Sequence, residues 1–519
     1  MKTKLVKNAL GRIVPSVING IPQIPFMGIG KYKPDGLKSI LSINSCSDYP
    51  MDGNKVSHSL KHALLKSGIR DGMTISSHHH FRNGDLIMNQ VFDELSLLGI
   101  KGLRWFPSAT FPCHDPIIDH IKNGTIDLVE GSLNGDIGRF VSLGKMQKTG
   151  VLRSHGGRWQ AVQDGEVHID IAIIAAPTAD MFGNATGDQG PSACGSLGFA
   201  LVDSIYADKV IVVTDNLIPF PCIPWQIQGH DVDHVVLIDK IGDPEKIVSG
   251  NTAKILSKQR LKIAEMTAKF VQVAGIIKEG FSFQAGAGGI SLAFAMYVKQ
   301  IMKETAVKAR FIRGGSTKHL VEMLEEGMTD YILDGQTFDL EGVRSMRENP
   351  RHVYTSPFTS YNWHGKGNFS SLVDVVVLGA TEVDIDFNAN VVTHSDGLLL
   401  HGIGGWQNCL FSKCTIIAIP SIRKNIPIIV DKVTTLVGPG ELIDVVVTDR
   451  GIAINPKRKD LISLTKNCDL PIRDINEIKA EIDNVIEFPA LQTNRSNNII
   501  SVVKWVDGTV IDSIYKVNE

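Results

Sequence analysis

The chain has 519 residues, with 53 Lys plus Arg against 55 Asp plus Glu and a formal net charge of −2, so it lacks the basic excess that marks a nucleic-acid partner. Its length exceeds the ~250–300 residues at which a single core stops growing, which predicts at least two domains. Seven scattered cysteines with no C-x-x-C pair fit free thiols in a reducing compartment, not a disulfide framework.

In chain order, residues 1–15 carry Lys but neither the apolar core nor the small-residue cleavage site of a secretory signal. No run reaches the ~18 apolar residues of a membrane helix, so a soluble, cytoplasmic protein is expected. Residues 1–55, rich in Pro and Gly, are expected to lie outside the regular core of the first domain. A helix is predicted near 57–67, a strand over 73–76, and a shorter helix over 92–98. Between them stand His78, His79 and His80. Adjacent side chains do not all point one way and no second His or Cys pair accompanies them, so no metal site is assigned. Val- and Ile-rich runs over 210–213, 235–238, 375–378, 415–419, 427–430 and 445–447 read as strands buried on both faces. Helical spacing over 252–276 and 290–304 alternates with strands, which defines an α/β class with mostly parallel sheets.

The chain also repeats itself. Asp170, Asp180 and Asn184 surround one strand–turn unit, and Asp374, Asp384 and Asn388 surround another at an offset of 204. Gly72 before one strand and Gly280 before another are 208 apart. Two similar open α/β domains in tandem are therefore predicted, over 1–228 and 229–519, with the boundary near the clustered Pro219, Pro221 and Pro224.

Ligands of open α/β folds bind beyond the carboxyl ends of strands. In the second domain three loops leave such ends. One is Ala285-Gly-Ala-Gly-Gly289, another Gly379-Ala-Thr-Glu-Val-Asp384, and the third Gly402-Ile-Gly-Gly405. Glycine turns at helix starts offer backbone N–H groups to an anion or oxyanion. Glu382 aligns with Thr178 in the repeat, whereas Asp384 aligns with Asp180. The shared Asp residues read as turn-capping groups and the changed position as the catalytic candidate. A carboxylate between amide donors suits acyl transfer between a thiol and a carboxylate without ATP.

The segment Gly379–Asn390 followed by Gly402–Gly405 resembles the region around the active-site glutamate of coenzyme A transferases. The segments 282–289, 313–318, 334–339, 356–365 and 177–185 are similar to the citrate lyase alpha-chain family, and the likeness runs over nearly the whole chain. That resemblance implies two coenzyme A transferase-type domains and a catalytic role for Glu382. It matches Gly286, Gly288 and Gly289 to a first substrate-binding loop, and Gly402, Gly404 and Gly405 to a second. The implied reaction, in citrate fermentation, turns acetyl-carrier plus citrate into citryl-carrier plus acetate. The implied partners are an acyl carrier (gamma) subunit, a beta subunit and further copies of the chain. No tightly bound cofactor is expected; the thioester sits on a dephospho-coenzyme A-derived group of the carrier. Glu382 either forms a covalent thioester or positions the groups in a ternary complex. Arg313, Lys318, His364 and Lys366 are candidates for the citrate carboxylates. A CoA-thioester hydrolase, a CoA transferase for another acid, and a non-catalytic scaffold are the alternatives.

Overall fold

A computed structural model describes residues 4–32, 50–248, 257–285, 288–362, 365–486 and 494–518. Two large sheets carry the architecture. In the second, the strand order is His352–Tyr354, Thr329–Thr337, Ala309–Ser316, Phe281–Ala285, Val375–Leu378, Thr415–Ala418, Val445–Thr448 and Gly451–Ile454. All neighbours are parallel except the last pair. The first sheet repeats this order from Gly150–Leu152 through Ile126–Gly131, Leu103–Pro107, Thr74–Ser77, Ile171–Ala175 and Lys209–Thr214 to His234–Leu237, and ends on Val56–Ser57. Each large sheet is joined by a three-stranded unit built alike: Thr178–Asp180 with Ala185–Thr186 and Leu217–Ile218, and Glu382–Asp384 with Ala389–Asn390 and Ile429–Val430.

The repeated residues do equivalent jobs in both halves. Asp170 accepts the Thr74 amide at 2.7 Å, and Asp374 accepts the Ser282 amide at 2.8 Å, each tying the start of one strand to its neighbour. Asp180 accepts the amides of Phe182, Gly183 and Asn184, and Asp384 those of Asp386 and Asn388, so both close a tight turn as capping groups.

The sheets do not divide the chain at residue 228. Strand His234–Leu237 lies beyond that point and still pairs with Lys209–Thr214. The C-terminal hairpin, Arg495–Lys504 with Val510–Val517, leaves the second half altogether and extends the first sheet beside Gly150–Leu152. A buried charge network holds it there: Lys504 reaches Glu166 at 2.9 Å, and Arg153 bridges Glu166 at 2.7 Å and Glu130 at 2.6 Å. The N-terminal segment packs on the same hairpin. Asn8 donates to the Ile511 carbonyl at 2.6 Å, and Phe26 meets Trp505 edge-on at 5.9 Å between ring centroids. The predicted strand over 427–430 is instead two, Ile426–Pro427 and Ile429–Val430, in different sheets. Proline has no N–H for a continuous ladder.

Alternation along the second sheet sorts its side chains into two cores. Val375, Val377, Ile416 and Val445 face the helices Lys258–Val273 and Gly289–Thr305, while Val376, Leu378, Ile417 and Val446 join one core with the first half. The halves therefore share a continuous apolar interior. Ser257 caps the first of those helices through the Arg260 amide. Among the described residues no helix is long and apolar enough to cross a membrane.

Candidate active site

Glu382 opens the short strand that follows Val375–Leu378 and is 2% exposed. Its carboxylate is held by three donors. Oε2 accepts from the Thr434 amide at 2.7 Å and from Asn390 Nδ2 at 2.9 Å, and Oε1 accepts from the Thr434 hydroxyl at 2.9 Å. Glu382 and Asn390 are directly opposite across the antiparallel pair. The equivalent pair in the first half is Thr178 and Thr186. Both positions of one cross-strand pair have thus changed together, to a carboxylate and to an amide that donates to it. Asn390 is itself fixed, donating to the Thr393 hydroxyl at 3.0 Å and accepting the Val392 and Thr393 amides.

The loop bearing Thr434 is braced from both chain ends. Arg12 donates to the Val433 carbonyl at 2.8 Å, Asp512 accepts the Leu436 amide at 2.6 Å, and Arg12 and Asp512 approach to 3.5 Å. Burial pushes the Asp512 carboxyl above its usual range. Arg495, at the start of the C-terminal hairpin, lies within electrostatic reach of Glu382, and burial pulls its pKa down.

Of the first glycine turn, Gly286 lies outside the described residues. Gly288 caps the helix that Gly289 begins, and Ser291 in its first turn donates to the Val377 carbonyl at 2.9 Å. The second turn leads into the helix Trp406–Cys409, where the Trp406 indole donates to the Gly379 carbonyl at 2.8 Å. Both turns are therefore pinned to the strand-to-turn segment that ends at Glu382. The backbone N–H groups of Gly288, Gly402, Gly404 and Gly405 take no partner among the described residues.

Two of these glycines also permit close packing. A Cβ on Gly402 would lie 2.0 Å from Ser132 Oγ and 2.9 Å from Ser132 Cβ, and one on Gly405 would lie 2.7 Å from the Tyr361 hydroxyl. Gly402→Ala is expected to force the turn away from the first half and to destabilise the protein by about 1–3 kcal/mol, read as a lower thermal midpoint.

The first half completes the surroundings. His155 opens the helix His155–Gln163, its amide donates to the Gly404 carbonyl at 2.8 Å, and its ring stacks on His79 at 4.9 Å. Burial, then Arg158, lower the His155 pKa to about 3. The three adjacent histidines take separate partners: His78 bonds Asp203, His80 the Ala175 carbonyl, and His79 both Ser108 and Gln336 of the second half. His79 thus borders the junction of the halves, and burial followed by His155 keeps its pKa low.

Among the proposed carboxylate contacts, Arg313 is 2% exposed, donates to Gln284 at 2.9 Å and Ser370 at 3.0 Å, and lies 4.8 Å over the Tyr361 ring. No acidic side chain among the described residues pairs with it. Lys318 and Lys366 are exposed and share no hydrogen bond with Glu382 or its donors; His364 lies outside the described residues. Thr434 and His155 escape sequence reasoning, since neither stands in a repeated or glycine-rich loop end already singled out. Asn390 was within reach of the repeat, being the second changed position of the Glu382 pair.

Two matching α/β halves, with Glu382 in the second where the first has Thr178, give a fold of the coenzyme A transferase type. A 4-hydroxybutyrate CoA-transferase from Porphyromonas gingivalis has the same fold, with a TM-score of 0.53 at 15% identity over 83% of this chain and 97% of that one. Residues 53–517 match the family described as citrate lyase, alpha subunit (CitF). Citrate lyase alpha chains are 40% identical in Klebsiella pneumoniae, over 89% of this chain and 91% of that one, and 38% identical in Haemophilus influenzae, over 90% and 93%. A structure described as the alpha subunit of citrate lyase from Streptococcus mutans in complex with citrate superposes with a TM-score of 0.94 at 39% identity, covering 99% of this chain and 100% of that one. The chain belongs to the citrate lyase alpha-subunit family.

Proposed function

We propose that this chain is the acyl-exchange subunit of a citrate lyase, with Glu382 as its catalytic carboxylate. It converts acetyl-carrier and citrate into citryl-carrier and acetate. In the direct route a citrate carboxylate oxygen attacks the acetyl thioester carbonyl, the C–S bond breaks, and the carrier thiolate leaves a mixed anhydride. The thiolate then attacks the citryl carbonyl of that anhydride and releases acetate. The thiol belongs to a dephospho-coenzyme A-derived group on the gamma carrier subunit. A beta subunit takes the citryl-carrier onward, and the complex, holding several copies of the chain, works in the cytoplasm.

The observation that carries this reading is the paired change of Thr178/Thr186 to Glu382/Asn390 at one site in otherwise equivalent halves. A stability role would not need it, because the first half closes the same turn without the carboxylate. The two glycine turns supply unengaged N–H groups for the charge that develops on the thioester oxygen. Oε1, bonded among the described residues only to the Thr434 hydroxyl, keeps lone-pair capacity for attack or for orientation. Hydroxylamine trapping of an enzyme-bound thioester separates those roles: a hydroxamate at Glu382 shows a covalent intermediate, and turnover without it shows direct exchange.

The brace on Thr434 has a measurable consequence. Asp512→Ala leaves the Leu436 amide buried without its acceptor and loosens the donor to Glu382. It is expected to lower kcat by about tenfold or more with little change in the citrate KM, since small misplacements of a catalytic group are expensive. Steady-state rates with acetyl thioester and citrate check this.

A further inference from the structure

His155 is unlike the other histidines at the junction. His78, His79 and His80 are buried and hydrogen-bonded through their rings. The His155 residue is mostly covered yet keeps some exposure, and no hydrogen bond to either ring nitrogen exists among the described residues. The ring is nevertheless rigidly placed. It stacks on His79 at 4.9 Å and meets Phe199 at a tilt at 4.5 Å, and its backbone is fixed by Ser154, which caps the helix, and by the Gly404 carbonyl.

Its direction is set by the second glycine turn. Nε2 lies 3.8 Å from where a Cβ of Gly404 would stand, and Cδ2 is 3.8 Å from the corresponding point on Gly405, whose other neighbour there is the Tyr361 hydroxyl at 2.7 Å. Beneath Tyr361 sits Arg313, a buried guanidinium with no acidic partner among the described residues. The imidazole, the unengaged amides of Gly404 and Gly405 and the phenol thus meet at one turn, and the guanidinium packs on the phenol ring. All can donate hydrogen bonds and none is an anion. A donor-rich turn with no carboxylate of its own suits an anionic acceptor.

We propose that His155 contacts the acid substrate, donating a ring N–H to a carboxylate of the tricarboxylate as it lies against the Gly404–Gly405 turn. This rests on the acyl-exchange reading and adds the residue by which the first half takes part. A neutral imidazole suits the task. It binds the carboxylate without adding a charge to a mostly covered site. A phosphate of the carrier's prosthetic group shares the anionic chemistry, and the test separates the two.

The test compares His155→Phe, which keeps the stacking and loses the hydrogen bond, with His155→Gln, which restores a donor. Citrate binding by calorimetry is read beside KM values for citrate and for acetyl-dephospho-coenzyme A. His155→Phe is expected to weaken citrate about tenfold or more, the loss of one hydrogen bond to a charged group. The thioester KM stays within about threefold, and His155→Gln recovers most of the citrate affinity. Unchanged citrate affinity in His155→Phe overturns the proposal, as does a loss confined to the thioester, which assigns His155 to the carrier instead. If wild-type protein binds citrate through His155 yet exchanges no acyl group, the functional reading fails and this contact stands.

Discussion

Glu382→Gln is expected to lower citrate-dependent release of acetate from an acetyl thioester by at least ~10²-fold, the scale of a lost catalytic group. The substitution is nearly isosteric, and the cluster can absorb it. With the amide oxygen in the place of Oε2, the Thr434 and Asn390 N–H groups keep their acceptor. The amide nitrogen then faces the Thr434 hydroxyl, which can accept. Folding is therefore expected to survive, and the loss falls on chemistry. Glu382→Asp withdraws the carboxylate by one methylene from donors that the Arg12 and Asp512 contacts hold in place, so it is also expected to be severely impaired. Rates are measured as acetate released with citrate present and absent, with circular dichroism as the folding control. A wild-type rate in Glu382→Gln removes the assignment.

The largest stability effect is expected at Asp203. It is fully buried and accepts from Arg158 Nη1 at 2.9 Å, Arg158 Nη2 at 2.7 Å and His78 Nε2 at 2.8 Å. Arg158 also donates to the Phe106 carbonyl and lies 4.1 Å over the Phe106 ring. Asp203→Ala strands a buried guanidinium, and removing one partner of such a pair costs about 3–5 kcal/mol. The helix that carries Arg158 is the one that begins with His155, so the citrate affinity should fall with the stability. Thermal or urea unfolding measures the first, and Asp203→Asn should be intermediate. Burial by itself would raise the Asp203 pKa, but Arg158 and His78 outweigh it and hold the carboxyl below its ordinary range. Its contribution is therefore complete above the unfolded value of about 4 and is lost as pH falls through the lowered one. The midpoint of the wild type should drop in acid more steeply than that of Asp203→Asn.

Much of this was legible in the residues. The strands over 375–378 and 445–447, the helix over 290–304 and the capping roles of Asp180 and Asp384 follow from local pattern, which is where local sequence is informative. Glu382 stood out because a repeat supplies an internal comparison: what both copies keep serves the fold, and what one copy changes serves something else. The same comparison contained Asn390 at the opposite position of the ladder, but register is needed to see that the two changes form one pair. The strand over 427–430 failed for the converse reason. Apolar composition marks burial, not which sheet a strand enters.

The amino-acid order alone determined the α/β class, the duplication, the carboxylate and the glycine turns, because each is written in neighbours or at a fixed offset. Folding decided what surrounds them. Thr434 reaches Glu382 across a long stretch of chain, Arg12 and Asp512 come from opposite ends to steady it, and His155 arrives from the other half to meet Gly404. Such contacts depend on how sheets stack and where a C-terminal hairpin finds its edge, and these are properties of the packed core that no local pattern encodes.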